Sequence, residues 1–205
     1  MGYQPGLDGL RALSVAAVLL YHGGITWLPG GFLGVEVFFV VSGYLITSLL
    51  LQEREQAGFT DLRNFWMRRA RRLLPALYVV LAATVVYAAL FAEDALSHLK
   101  GDVLAALTYV TNWWLIFSDQ SYFDQLGRPP LLRHLWSLAV EEQWYLVWPL
   151  VFAGGMALAR NRPRRLLGPV LAAAAASTVL MVWLYVPDTD PSRVYFGTDT
   201  RASGL

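Results

Sequence analysis

Three side chains in this sequence stand where an apolar environment should reject them, and together they could do chemistry. Arg11 and His22 lie in the run LDGLRALSVAAVLLYH, and Glu36 lies in the next, GGFLGVEVFFVVSGYLIT. Ionisable groups inside a membrane span cost on the order of 2.5–3.5 kcal/mol each, so they mark function more often than simple helix packing. An imidazole that changes charge near neutral pH suits proton transfer or transient acyl carriage, and a carboxylate beside it would orient the ring. His22 is eleven residues beyond Arg11, roughly 16 Å further along a helix. In a span running from Leu7 to Leu28 that places it near the middle of a hydrocarbon core about 30 Å thick. A turn at Leu28–Gly31 would return the chain antiparallel and bring Glu36 to similar depth, as a candidate imidazole–carboxylate pair.

A second group is basic. Arg68, Arg69, Arg71 and Arg72 crowd the segment FWMRRARRLLPAL, with Arg63 upstream. On a helix Arg68, Arg71 and Arg72 share one face, and guanidinium forks suit phosphates. Arginines there would equally set membrane topology and meet anionic lipid, so both readings stay open. Glu141 and Glu142 sit inside a third apolar run among Trp136, Trp144, Tyr145 and Trp148. Adjacent helical residues point about 100° apart. At least one of the two carboxylates is therefore buried in protein or in a wet cavity, unless Arg133 or His134 neutralises them near the outer interface. The tryptophans fit an interfacial belt better than a sugar-stacking platform. His98 and His134 read as surface histidines, and no histidine spacing suits a metal. Asp199 and Arg201 are a further candidate ion pair or substrate contact.

The elements that must position these groups are helices. Of 205 residues, 56% are hydrophobic and only 15% charged, against about 25% charged in soluble domains; mean hydropathy is +0.44. Cysteine is absent, which excludes thiol nucleophiles and thiolate metal sites. The arginines sit between apolar runs, with no nucleic-acid signature. The fold class expected is all-α: a polytopic transmembrane bundle of about five spans (7–28, 31–51, 73–91, 134–159 and 166–186). A re-entrant or surface-lying segment is expected within 93–135, because DVLAALTYVTNWWLIF is short of the roughly 20 residues a span needs. The positive-inside rule places the N-terminus in the cytoplasm. Pro75 should fall in the first turn of the third span, and residues 188–205 should form a polar external tail. No cleavable leader is expected.

Four segments, at 7–22, 31–47, 65–77 and 135–150, together resemble the acyltransferase 3 family of membrane O-acyltransferases. The match runs over essentially the whole chain. The resemblance implies that residues 1–205 are the N-terminal portion of one membrane acyltransferase domain, whose relatives often carry a further extracytoplasmic SGNH-type domain. It implies transfer of an acyl group, usually acetyl, from cytoplasmic acyl-CoA to a hydroxyl of an extracytoplasmic glycan or related acceptor, in the cell's inner or plasma membrane. By position His22 matches the family's intramembrane histidine, with Glu36 where members have Asp or Glu. Arg11 matches its D-G-L-R arginine; Arg68, Arg69 and Arg72 match its R-R-x-x-R motif and would hold the CoA phosphates. Glu141 and Glu142 match V-E-E-Q and, with Trp136, are candidates for acceptor binding. The expected partners are acyl-CoA, a cell-surface carbohydrate or other hydroxyl acceptor, and lipid, with no metal and no nucleic acid. A proton-coupled transporter using His22 and Glu36 is the alternative.

Overall fold

The computed structural model describes residues 4–123 and 129–205; Asp124 and Arg128, counted with the polar residues of segment 93–135, lie outside them. All secondary structure among the described residues is helical. The chain divides into two compact units, residues 1–60 with 204–205, and residues 61–203.

In the first unit α1 (Pro5–His22) starts at a proline, whose ring presets the helical φ where no N–H bond is needed. It stops at His22 rather than Leu28. Gly24 takes φ 73°, a left-handed turn that L side chains avoid, and the chain passes through a 3₁₀ turn at Gly31–Leu33 into α2 (Gly34–Ala57). Six residues beyond the expected end of this span remain helical, until Gly58 (φ 79°) caps the helix by donating its N–H to the Arg54 carbonyl. Two glycines let α1 and α2 touch. A Cβ on Gly31 would collide with the Ala17 carbonyl, and one on Gly34 would lie 2.5 Å from the Ser14 oxygen and 2.9 Å from Val18 Cγ2. Gly34→Ala must therefore push the helices apart. We expect a loss of about 1–3 kcal/mol, as for other overpacked interfaces, measurable as a lower thermal midpoint, with Gly6→Ala, where a Cβ meets nothing within 4 Å, as the comparison.

In the second unit α3 (Leu62–Phe91) is one continuous helix of 30 residues. Asp61 caps its start, accepting the Asn64 backbone N–H at 3.0 Å, and that bond holds the Asp61 carboxyl below its usual range. The arginine segment and the third apolar run are thus the same helix. Pro75 consequently sits in its interior, not in a first turn as expected. Then come α4 (Leu96–Leu107) and α5 (Thr111–Phe117), broken at Tyr109, whose φ is 53°. At 12 and 7 residues neither approaches the length of a span. α6 (Trp136–Leu158) and α7 (Leu167–Leu184) follow, then the short α8 (Ser192–Phe196) and α9 (Thr198–Arg201).

Among the described residues three helices are long and apolar enough to cross a membrane: Gly31–Ala57, Leu62–Phe91 and Pro163–Leu184. The other two expected spans form as helices of 18 and 23 residues, but Asp8, Arg11 and His22 in α1, and Glu141, Glu142 and Gln143 in α6, dilute their apolar character. Leu77, Leu81 and Ala88 of α3 pack on Leu99 and Ala106 of α4 and on Leu132. The last residues are not a polar tail. Val194, Tyr195, Phe196 and Thr200 are buried, and Tyr195 and Phe196 pack on Trp136 and Tyr122 with ring centroids 4.5–5.9 Å apart.

Candidate functional site

His22 is the last residue of α1 and is exposed, so it occupies the C-terminal end of the helix rather than its interior. Its Nδ1 lies 2.8 Å from the Val18 carbonyl oxygen. A carbonyl can only accept, so Nδ1 carries the proton and the lone pair of the neutral ring resides on Nε2. Tyr21 braces the ring edge-on at 5.4 Å. Glu36 is half-buried in the first turn of α2. Its Oε2 lies 3.6 Å from where a Cβ on Gly204 would be. Arg11 places its guanidinium 5.3 Å from the Phe38 ring, a cation–π contact on the neighbouring helix.

In the second unit the arginines separate. Arg63, Arg68, Arg71 and Arg72 are exposed. Arg69 turns inward: its Nη2 donates to Glu142 Oε1 at 3.1 Å, with side chains 27% and 14% exposed. The guanidinium lies 3.3 Å above the Tyr145 ring. One turn earlier Trp66 Nε1 donates to the Tyr145 carbonyl at 3.0 Å. Burial raises the Tyr109 phenol above its ordinary range, and the adjacent Glu142 carboxylate raises it further, against Arg69. Glu142 is thus neutralised by Arg69, not by Arg133 or His134. Arg133 instead donates to the Ser121 and Tyr122 carbonyls at 3.3 Å. Glu141 is half-buried on the adjoining position of α6. Trp136 is 2% exposed inside the aromatic cluster, so its ring packs the core and offers no face to a sugar. Trp144 and Trp148 stack on one another at 5.2 Å.

The sequence reading missed the most connected polar residues. Gln143 Nε2 donates to the Tyr109 carbonyl at 2.7 Å and to Asn112 Oδ1 at 2.9 Å; its Oε1 accepts from Trp113 Nε1 at 3.2 Å and from Thr198 Oγ1 at 2.5 Å. Asn112, fully buried, donates to the Phe196 carbonyl at 3.0 Å and to Thr198 Oγ1 at 2.9 Å. In the sequence Asn112 is a polar break in the apolar run DVLAALTYVTNWWLIF, which is the available signal. Asp199 pairs with Arg193 at 2.7 and 3.1 Å, not with Arg201; Arg201 donates to the Tyr195 carbonyl and lies over that ring.

Burial alone would raise Asp199, but the hydrogen bonds and charge of Arg193 outweigh it and hold the carboxyl below its ordinary range. A folded value below the unfolded one means the pair stabilises fully above the ordinary carboxylate range and is lost as pH falls through the lowered value. Arg193 also lies 5.4 Å from the Trp113 ring. We therefore expect the aromatic circular dichroism of the α8–α9 region to hold down to that range and to collapse below it, and to collapse at higher pH in Arg193→Met.

Among the described residues no group of three or more His, Asp or Glu side chains is placed to hold a metal ion. The sequence model of the acyltransferase domain, the acyltransferase 3 family, matches residues 4–193. The chain belongs to this acyltransferase family. This acyltransferase domain is 51% identical over 203 residues to the peptidoglycan O-acetyltransferase OatA of Listeria monocytogenes. It is 50% identical over 203 residues to a putative peptidoglycan O-acetyltransferase, YrhL, of Bacillus subtilis. A putative O-acetyltransferase of Staphylococcus aureus is 46% identical over 206 residues. These alignments cover 99–100% of the acyltransferase domain's chain but 32–34% of the relatives, so the chain spans about a third of their length. No solved structure matches it significantly. With three apolar helices of spanning length and this family membership, it is a membrane protein.

Proposed function

We propose that this chain is part of a membrane O-acetyltransferase that moves acetyl from cytoplasmic acetyl-CoA to a hydroxyl of peptidoglycan outside the plasma membrane, with its N-terminus in the cytoplasm. The observation that carries the reading is about 50% identity, over nearly the whole chain, to relatives named as peptidoglycan O-acetyltransferases. The side chains present suit the chemistry. Arg68 and Arg72, with Arg71 beside them on the exposed face of α3, supply fixed cations for the donor's phosphates, and Arg11 is a further candidate. His22 Nε2 takes the proton of the acceptor hydroxyl as its oxygen attacks the acetyl carbonyl. The thioester C–S bond breaks, and the proton passes to the departing CoA sulfur. Glu36 stabilises the imidazolium in this scheme, and Glu141 is a candidate acceptor contact.

The test uses membranes from cells expressing the complete gene, supplied with acetyl-CoA labelled in the acetyl group. Label recovered from the cell wall as alkali-labile ester, with matching release of CoA thiol, supports the reading. CoA thiol released without esterified label moves the acceptor elsewhere. No consumption of acetyl-CoA while solute moves across the membrane would sink the transferase reading in favour of a transporter.

A further inference from the structure

The arginines of α3 are one group in sequence but two in space. Around the helix Trp66 and Arg69 lie about 60° apart, whereas Arg68, Arg71 and Arg72 fill an arc centred about 110° from Arg69 on the side away from Trp66. The first pair meets α6 through the Tyr145 carbonyl, the Tyr145 ring and the Glu142 carboxylate. The other three are exposed. Arg69 has its guanidinium over an aromatic ring and its Nη2 on a carboxylate that is 14% exposed, while its Nε is buried without a hydrogen-bond partner. A phosphate that took Nη2 from Glu142 would leave that carboxylate unpaired beside a phenol, an arrangement that a partly buried carboxylate resists.

We propose that Arg69 is a positioning residue: by clasping Glu142 and Tyr145 it fixes the rotation of α3 about its axis and so aims Arg68, Arg71 and Arg72, without itself binding the acyl donor. What those three bind rests on the function proposed above; the clasp does not. Because the group acts through geometry, its loss should reduce turnover rather than donor affinity. Misplacement by about 1 Å can cost about 10²-fold in rate.

The experiment uses the full-length protein in nanodiscs and two readouts. In thermal unfolding, Arg69→Gln and Glu142→Gln should each lower the midpoint more than the double substitution does, because one orphaned partner is worse than none. In acetyl-CoA titrations, Arg69→Gln should lower kcat about 10²-fold with donor KM within about twofold. Arg72→Gln should instead raise donor KM about tenfold or more, the loss of one charge-assisted phosphate contact. Should the single variants fail to fold, the exchanged pair Arg69→Glu with Glu142→Arg is measured, and recovery of a folded, active protein supports the clasp. Strictly additive midpoints, or a rise in donor KM for Arg69→Gln matching that of Arg72→Gln, would overturn it. If the wild type transfers no acetyl at all, the function fails and the unfolding series alone decides the clasp.

Discussion

His22→Gln is expected to lower acetyl transfer by about 10³-fold or more while donor binding is unchanged. Glutamine keeps an amide that can donate to the Val18 carbonyl, as Nδ1 does at 2.8 Å, so the end of α1 should stay folded. What it removes is the basic lone pair on Nε2. General-base assistance is worth about 10²–10⁴-fold, and loss of a covalent acyl carrier would abolish the reaction. The measurement is labelled ester in the cell wall per unit time at saturating acetyl-CoA, with CoA binding followed separately. Rapid quenching divides the two mechanisms. An acetyl-imidazole trapped on His22 in the absence of acceptor would establish the covalent route; its absence with turnover intact would leave the base. A His22→Gln enzyme with undiminished turnover would remove His22 from the chemistry altogether.

The second large effect concerns folding. Gln143→Leu should cost about 3 kcal/mol, because it strands the Tyr109 carbonyl, Asn112 Oδ1 and the indole N–H of Trp113 in the interior of the second unit. Each buried orphan costs about 1–3 kcal/mol, discounted for the half-exposed indole. For a chain of this length that is a fall of about 10 °C in the thermal midpoint. Gln143→Glu is the sharper variant. Its shape is conserved, but an ionised carboxylate cannot donate to the two oxygens that Nε2 now serves. It should therefore be destabilised at neutral pH and partly recover in acid, where the protonated form donates again. Equal midpoints for wild type and Gln143→Glu at neutral pH would show that these bonds contribute nothing.

Why some features were legible and others not has a physical basis. Long apolar runs write α2, α3 and α7 directly, because a span must satisfy its backbone within one helix. α1 and α6 were readable as helices despite the charges that interrupt them. Arg69 could not be told from Arg68 or Arg72, since a run of like residues reveals type and phase but not which phase meets the next helix. Trp136 misled for the same reason: a tryptophan that packs a core and one that meets a sugar look identical until Tyr122, Tyr195 and Phe196 arrive from distant segments. Residues 188–205 read as solvent-facing because their polar partners, Asn112, Gln143 and Ser177, are far away in sequence.

The interior placement of Pro75 gives α3 two stiffnesses. Proline has no N–H, so the Arg71 carbonyl, four residues earlier, goes without its helical bond, and that step is the weakest in 30 residues. At 1.5 Å per residue the helix is about 45 Å long, longer than a bilayer's hydrocarbon by roughly 15 Å. The overhang and the weak step coincide near the arginines. α3 therefore behaves less like a rod than like a forearm and hand, joined at Arg71–Pro75. With Trp66 and Arg69 held on α6, the cationic hand stays docked and the joint takes up adjustments of the apolar forearm. Amide exchange should report it as faster opening around that joint than in the turns on either side.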